Sequence, residues 1–365
     1  MPFIIDAHED LACAMAEYQR DYNRSAAETR RLEENTLAPQ RNGQTLLGWP
    51  DYQHGQVGLV IATLFQAPAR YGKPWDTQVF KDTRDSRRNY QLQLDLYRRL
   101  ADQHPDHFKI VKDKSALVDV LRPWLDNPAD YPTLTHPVGL VISMEGVEGI
   151  ESPREMEEWW EAGARLAGPV WAGTRWCGGT REHGGFTSEG RELLAVMADI
   201  GYILDVSHMD DPSVREALDR YEGPVIASHA NCRALFKHTD SERQLTDEAI
   251  RRLVDRDGVM GVVPFNVFLV DDWKAGDDRR RVTLDHVVAH IDHICQIAGD
   301  ARHAAIGTDF DGGFGWPEVP LEINTIADLP KLEGKLKERG YTADEINGIF
   351  HGNWQRILET HLPSA

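Results

Sequence analysis

Short runs of apolar and β-branched residues recur along the chain, and each run is followed by polar residues. Continuous runs of this kind are typical of strands that are buried on both faces, as in a parallel sheet. Helix-like segments separate most of the runs, so the pattern predicts an α/β fold, a (β/α)8 TIM-type barrel. The eight runs are residues 3–5, 57–65, 138–144, 169–171, 202–206, 225–227, 259–265 and 304–308.

Amphipathic segments with typical end signals predict the helices. Gly201 directly follows one such segment and is a common type of helix stop, whereas Pro212 suits the first turn of another. The fourth apolar run is expected to follow a helical stretch. The predicted helical segments are 155–166, 189–200, 211–218, a segment beginning at 246, 283–298 and a terminal segment over 342–362.

Two stretches fit the strand–helix repeat poorly. Residues 16–56 are polar and rich in arginine, and residues 66–137 contain two predicted helices, at about 77–103 and 114–126. Neither stretch has the Ser/Gly-rich composition of a linker. We therefore predict one domain over 1–365, with helical insertions after strands 1 and 2.

Composition and charge exclude several classes of partner. Of the 365 residues, 40 are Lys or Arg and 59 are Asp or Glu, a net charge of −19 that repels nucleic acid and anionic lipid surfaces. No apolar stretch approaches the roughly 20 residues that cross a bilayer, and the first ten residues lack the features of a signal peptide. The four cysteines form no C-x-x-C pair. We expect a cytoplasmic protein without a membrane or nucleic-acid partner.

Polar residues with metal-binding side chains stand just past five of the predicted strands. Because the carboxyl ends of parallel strands meet at one rim of a barrel, these residues are expected to lie together. Imidazoles and carboxylates suit zinc or another divalent ion of the first transition row. The candidates are His8, Asp10, Glu145, His208, His229 and Asp309.

Five ligands exceed what one catalytic zinc with an open position requires, and they suit two ions that share a carboxylate. Residues two apart on a strand face the same side, so His8 and Asp10 are predicted to bind one ion. His208 and His229 would bind the other, with Glu145 as the bridge.

A pair of ions about 3.5–4 Å apart holds a hydroxide and polarises a carbonyl oxygen. Asp309 would then be bound to metal weakly or not at all. A carboxylate in that place takes the proton from the hydroxide and delivers it to a leaving amine. The sequence thus predicts a hydrolase with a metal-bridging hydroxide as nucleophile.

Five motifs, D-A-H-E-D, S-M-E-G-V-E-G, D-V-S-H, S-H-A-N and G-T-D-F-D-G, occur here in this order. Together with T-S-E-G-R-E-L and R-Q-L-T-D-E-A-I, they resemble the membrane (renal) dipeptidase family of the amidohydrolase superfamily, from residue 6 to residue 312. The resemblance implies a dipeptidase with two Zn²⁺ per chain, and it suggests a homodimer.

The resemblance also assigns roles to individual residues. His8, Asp10, Glu145, His208 and His229 match the metal ligands of the family. Asp309 matches its acid/base residue, and Arg243 matches the arginine that binds the carboxylate of the substrate, a pairing that guanidinium geometry favours.

Two positions depart from the family pattern, and both concern the substrate. A histidine that supports the substrate carbonyl in the family is missing from residues 170–173, where Ala172 stands, and Phe265 replaces a tyrosine. His183 is a candidate replacement for the missing imidazole and therefore a candidate substrate-binding residue.

Three functions remain open at this stage. The first is hydrolysis of dipeptides or similar small amides that carry a carboxylate. The second, favoured by Ala172, is an amidohydrolase reaction on a non-peptidic amide, lactone or conjugate. The third is a non-catalytic barrel protein, which the intact set of metal ligands argues against.

Overall fold

The structure, a computed structural model, describes residues 3–238 and 241–364, and strands and helices alternate between residues 79 and 306. The strands are β1 Ile4–Glu9, β2 Val57–Phe65, β3 Ala67–Pro68, β4 Val79–Phe80, β5 Phe108–Ile110, β6 Val138–Glu145, β7 Ala164–Gly168, β8 Ile203–Asp205, β9 Val225–Ile226, β10 Met260–Val262 and β11 Ala304–Ile306. The α-helices are α1 Leu11–Tyr18, α2 Ala26–Glu33, α3 Ala38–Asn42, α4 Trp49–Gly55, α5 Thr83–Gln103, α6 Lys114–Asp126, α7 Met156–Ala162, α8 Ser188–Ile200, α9 Asp211–Arg220, α10 Asp247–Asp255, α11 Leu284–Ala298, α12 Leu332–Glu338, α13 Ala343–Asn347 and α14 Asn353–His361.

A curled parallel sheet forms the centre of this mixed α/β fold. Its strands follow the order β1-β2-β6-β7-β8-β9, and β5 pairs with the beginning of β6. Strands β10 and β11 form a separate parallel pair. Two single parallel bridges, Ala227–Met260 and Glu9–Phe310, join that pair to the two ends of the larger sheet. Because all these pairings are parallel, the carboxyl ends of the strands share one rim.

Seven of the eight apolar runs contain a strand where the pattern predicted one. The first three long strands are buried along almost their whole length, which explains why their sequences are continuously apolar. In the second half of the chain the strands are shorter than the runs. For example, β10 covers three residues of the run at 259–265.

The predicted fourth strand at 169–171 is wrong, because the strand lies at Ala164–Gly168. The helix predicted to continue to residue 166 ends at Ala162. Gly163 follows with φ +115°, a left-handed conformation that glycine adopts at little cost and that ends the helix. Pro169, which lacks an amide hydrogen for pairing, comes directly after the strand.

Arg165 concealed this strand in the sequence, because a charged residue interrupts its apolar pattern. Its guanidinium donates to the carbonyl oxygens of Lys112 and Trp160, each at 2.6 Å. It also lies over the Trp160 ring, 4.2 Å from the centroid. The charge is therefore satisfied locally while the rest of the strand packs in the core.

The helices of the second inserted stretch match their predictions closely. Helix α6 has the predicted bounds, and α5 begins at Thr83 rather than near 77 because the side chain of Asp82 caps it, accepting from the amide of Asp85. Although α5 is 21 residues long, it carries many charged residues. Among the described residues, no helix combines the length and apolar character that spanning a bilayer requires.

Two glycines allow the last strands to approach β9 closely. A Cβ atom added at Gly261 would lie 2.0 Å from the carbonyl oxygen of Ser228, and one added at Gly307 would lie 1.9 Å from the same atom. Only hydrogen fits at these positions. The backbone around Ser228, which precedes a candidate metal ligand, is therefore packed directly against β10 and the segment after β11.

We expect Gly261→Ala to lower the free energy of unfolding by about 1–3 kcal/mol, the usual cost of overpacking. Urea denaturation followed by tryptophan fluorescence measures this change. The matched control is Gly334→Ala in α12, where an added Cβ meets nothing within 4 Å, and there we expect a gain of up to about 1 kcal/mol. Equal effects of the two variants would contradict the packing argument.

Candidate metal centre

The structure brings the six candidate metal-binding side chains together at the carboxyl rim of the sheet. They come from distant parts of the chain and meet because the strands that carry or precede them run parallel, with their carboxyl ends on one rim. Each is buried, with exposed fractions between 1% and 9%. The six are His8 within β1, Asp10 just after it, Glu145 at the end of β6, His208 after β8, His229 after β9 and Asp309 after β11.

Glu145 lies at the middle of the cluster, and its two carboxylate oxygens face different partners. Oε2 lies 3.1 Å from Nε2 of His8. Oε1 lies 2.9 Å from Nε2 of His208 and 3.8 Å from Nε2 of His229. This is the arrangement that a carboxylate needs to bridge two cations.

A first group of ligand atoms surrounds His8. Its Nε2 lies 3.9 Å from Oδ1 of Asp10 and 4.0 Å from Oδ1 of Asp309. Within residues 3–238 and 241–364, Asp10 Oδ1 is buried without a hydrogen-bond partner. Since leaving buried polar atoms unpaired is costly, this environment fits a bound cation.

The charge balance of the site points the same way. Burial works against a charged His8, yet Glu145, Asp10 and Asp309 together outweigh it and raise the pKa of His8 to about 10. Burial, opposed in part by His8 and Arg243 and reinforced by Glu145, raises the pKa of Asp309 to about 7. Three carboxylates in one buried site thus demand positive charge.

His208 and His229 form the second group, with their Nε2 atoms 3.0 Å apart. Burial, followed by the charge of Arg243, lowers the pKa of His208 to about 4. Burial, followed by the charge of His8, lowers the pKa of His229 well below its usual value. Both rings are therefore neutral at pH 7, which is the form that binds metal.

Each of the three histidines uses its other nitrogen, Nδ1, to contact a hydroxyl group. These contacts fix the ring orientation and turn Nε2 toward the centre of the cluster, as supporting hydrogen bonds do in metal sites. The pairs are His8 with Thr63 at 3.3 Å, His208 with Thr180 at 2.9 Å and His229 with Ser228 at 2.7 Å. None of the three hydroxyls was predicted from the sequence. Only Ser228 could have been suspected there, because it is adjacent to its histidine.

The loop that carries Asp309 is anchored from the first inserted stretch. Asp309 and Asp311 both have left-handed backbones, with φ of +58° and +64°, a conformation that costs energy in residues other than glycine. The buried carboxylate of Asp311 accepts from Tyr22 Oη at 2.9 Å and from the amide of Leu46 at 2.9 Å. It also pairs with the buried Arg20 at 2.9 Å. These contacts hold the strained loop, and with it Asp309, in place.

Arg243 lies beside the cluster, and some of its hydrogen-bond donors have no partner within the described residues. It is 3% exposed, and its Nη2 donates to the backbone oxygen of His229 at 2.8 Å. Nε and Nη1 have no hydrogen-bond partner within the described residues. The guanidinium lies 5.0 Å from the ring centroid of Phe268, which contacts Phe265 edge to face, and Phe265 stacks on Phe314 at 4.0 Å. An unsatisfied cation next to an aromatic wall suits a carboxylate ligand.

His183, the candidate replacement imidazole, is not brought into the cluster. Its side chain is half exposed, and its ion pair is with Glu242 at 3.4 Å. Its role in substrate binding stays a prediction. Ala172 is buried, and its neighbour Trp171 lies against His208 with ring centroids 6.1 Å apart.

Comparison with known proteins gives a consistent picture. The model of the membrane dipeptidase family, peptidase family M19, matches residues 2–362. An uncharacterised dipeptidase of Schizosaccharomyces pombe is 29% identical over 280 residues, 73% of this chain and 61% of that protein. A dipeptidase of Aspergillus oryzae is 26% identical over 279 residues, 73% of this chain and 59% of that protein. The matched region thus spans about three fifths of each of these two relatives.

Solved structures share the fold. A dipeptidase of metallopeptidase family M19 superposes with a TM-score of 0.77 at 20% identity, covering 100% of this chain and 99% of that one. A metallopeptidase from Rhodobacter sphaeroides, solved with a phosphinate mimic of the dipeptide L-Ala-D-Ala, gives 0.76 at 20% identity and covers 99% of each chain.

We expect Glu145→Ala to lower the zinc content of the purified protein toward or below one ion per chain, because a ligand shared by two ions would be lost to both. Metal analysis by plasma mass spectrometry measures this. Glu148→Gln is the matched control: it changes a nearby acidic residue that accepts from Tyr90 Oη and lies outside the cluster, and it should leave the metal content unchanged. Two tightly retained ions in Glu145→Ala would refute the bridging role.

Proposed function

The chain belongs to the membrane dipeptidase family, and on that premise we propose that it is a binuclear zinc hydrolase of dipeptides or similar small carboxylate-bearing amides. One observation carries the proposal: the two oxygens of Glu145 face different histidines, Oε2 facing His8 and Oε1 facing His208. The guanidinium of Arg243, which has unpaired donors, lies beside them and would bind the carboxylate of the substrate.

The residues present fit two divalent ions. His8 and Asp10 would hold one ion, His208 and His229 the other, and Glu145 would be shared. Ions bound there would lower the pKa of a water molecule and polarise the carbonyl of the scissile bond. The hydroxyls of Thr63, Thr180 and Ser228 would keep the three imidazoles oriented throughout the reaction.

Asp309 is proposed as the residue that moves the proton. Its carboxylate lies 4.0 Å from Nε2 of His8, and a water molecule held between bound ions would lie within its reach. It would accept a proton from that water on one oxygen and deliver it to the nitrogen of the leaving amine. The loop anchored through Asp311 and Arg20 keeps the carboxylate at this position.

Arg243 is proposed to orient the substrate. Its free Nη1 donor would hold the terminal carboxylate of the dipeptide, so that the peptide carbonyl lies over the cluster. The aromatic rings of Phe265 and Phe268 would cover the side chain of the C-terminal residue. The dipeptide mimic seen in the R. sphaeroides peptidase is a ligand of this substrate class.

A second candidate function is hydrolysis of a non-peptidic amide, lactone or conjugate at the same centre. Ala172 favours it, because no imidazole stands there to support a peptide carbonyl. Instead, the bulky Trp171 lies against His208.

We further propose that the strands close into a complete (β/α)8 barrel of one domain. The single bridges at Ala227–Met260 and Glu9–Phe310 support closure on both sides of the β10–β11 pair. A homodimer and a cytoplasmic location stay predictions.

Metal analysis combined with a substrate panel tests the proposed function. The panel contains L,L- and L,D-dipeptides, their C-terminal amides, and simple esters and lactones. We expect about two zinc ions per chain, hydrolysis of dipeptides, and loss of activity on chelation that added zinc restores. Hydrolysis of esters or lactones alone would support the second candidate. Fewer than one ion per chain with no hydrolysis would refute both and leave a non-catalytic protein.

We expect Asp309→Asn to retain its metals and to lose about 10²–10⁴-fold in kcat, which is the usual contribution of proton transfer. Steady-state kinetics on the best dipeptide, together with metal analysis, measure both properties. Asp300→Asn, at an exposed aspartate, is the control and should behave as the native protein. Unchanged turnover in Asp309→Asn would remove this residue from the mechanism.

We expect Arg243→Met to raise KM for dipeptides with a free C-terminal carboxylate at least tenfold, since a charge-assisted hydrogen bond to a buried cation is worth more than about 1.5 kcal/mol. The C-terminal amide of the same dipeptide is the matched comparison, because it lacks the charge that Arg243 would bind. Equal changes in KM for the acid and the amide would contradict carboxylate recognition by Arg243.

A further inference from the structure

A second arginine at the rim of the site has no acidic partner in the part of the chain that the structure describes. Arg181 is exposed, in the loop between β7 and α8. Its guanidinium carbon lies 5.3 Å from the ring centroid of Tyr71 and 5.4 Å from that of Trp171, and these two rings meet edge to face at 6.4 Å. Cation–π contact with both rings restrains the position of the guanidinium, which remains exposed to solvent.

The nearest carboxylate in sequence is already occupied. Glu182 receives both Nε and Nη2 of Arg70, at 2.5 and 2.8 Å, and the hydroxyl of Tyr71 at 2.8 Å. These three donors use both of its oxygens. Arg181 is thus left as the uncompensated cation of this loop, although the chain as a whole is strongly acidic.

Arg181 is tied to the candidate metal centre through its neighbours. Trp171, whose ring the guanidinium contacts, lies 6.1 Å from the ring of His208, and it meets Phe65 edge to face at 5.4 Å. Thr180, the residue before Arg181, contacts Nδ1 of His208 at 2.9 Å. The guanidinium therefore contacts an aromatic floor, formed by Tyr71, Trp171 and Phe65, that begins beside the candidate metal ligand His208.

This floor and Arg243 occupy different arcs of the rim. Phe65 ends β2 and Trp171 follows β7, whereas Arg243 follows β9 and packs on Phe268 after β10. The metal cluster lies between the two arcs. A dipeptide whose terminal carboxylate is held by Arg243, with its carbonyl at the cluster, extends its N-terminal residue toward Trp171.

We propose that Arg181 is a specificity-determining residue that binds the side-chain carboxylate of an acidic N-terminal residue in the dipeptide substrate. This inference rests on the proposed function and names the substrate class: dipeptides that begin with Asp or Glu. The guanidinium, positioned by its contact with Trp171, offers paired donors to a carboxylate, and Trp171 and Phe65 would cover the methylene groups that lead to it.

The test compares Glu-Ala with Gln-Ala, which have nearly the same shape and differ in charge. Kinetics use the zinc-loaded full chain, with the alanine in both its L and D forms. The native protein should prefer Glu-Ala about fivefold in kcat/KM, the upper range for an ion pair open to solvent. The preference should fall at high salt. In Arg181→Gln the ratio should fall to about one, with kcat/KM for Gln-Ala changed less than twofold.

Arg175→Gln is the matched control, because Arg175 is exposed in the same loop and stacks on Trp176 at 4.0 Å. It should keep the native preference, and Arg181→Lys, which retains the charge, should keep part of it. Loss of activity on both dipeptides alike in Arg181→Gln, or a native ratio near one, would overturn the inference and leave the proposed function standing. If the native protein cleaves neither dipeptide nor any other in the panel, the proposed function fails and this inference fails with it.

Discussion

Concentration of negative charge in a buried site is the constraint on which the rest of this structure depends. Asp10, Glu145 and Asp309 are held in a dry environment, where carboxylates repel one another and are poorly solvated. A protein tolerates this only when positive charge offsets it. With protein atoms alone, the compensating charge falls on His8, which explains why its pKa is raised so far. Divalent cations between the two groups of ligands would serve the same purpose more completely.

Contacts around the cluster stabilise this unfavourable arrangement of charges. Hydroxyl groups turn the imidazoles inward, and the loop of Asp309 adopts a strained backbone that is fastened through Asp311 to Arg20. The glycine at position 261 lets β10 pack against the backbone that precedes His229. Energy from packing and hydrogen bonding elsewhere in the fold thus offsets the cost of the site, as is common where function requires strain.

Two arginines at the rim complement the acidic cluster, and their positions would fix the orientation of a bound substrate. Arg243 is buried among aromatic rings on one arc, and Arg181 is exposed on aromatic rings on another. A small substrate with a carboxylate near each end would be aligned across the metals by these two charges. A buried guanidinium binds more strongly because water does not compete for it, so Arg243 would supply affinity and Arg181 discrimination.

Much of the secondary structure of this protein could be predicted from its sequence alone. Seven of the eight apolar runs contain a strand, because strands buried on both faces need continuous apolar residues. The six cluster residues could be selected from the sequence because each one lies within a few residues of the end of such a run. The fourth strand was misplaced because Arg165 satisfies its charge through carbonyl groups of Lys112 and Trp160, and Lys112 lies more than fifty residues away. Other features were decided by the tertiary structure alone. Thr180 orients His208, and His183 pairs with Glu242 outside the cluster. Arg70 pairs with Glu182, which leaves Arg181 without an acidic partner among the described residues. These are contacts between loops, whose course depends on packing and leaves no periodic pattern along the chain.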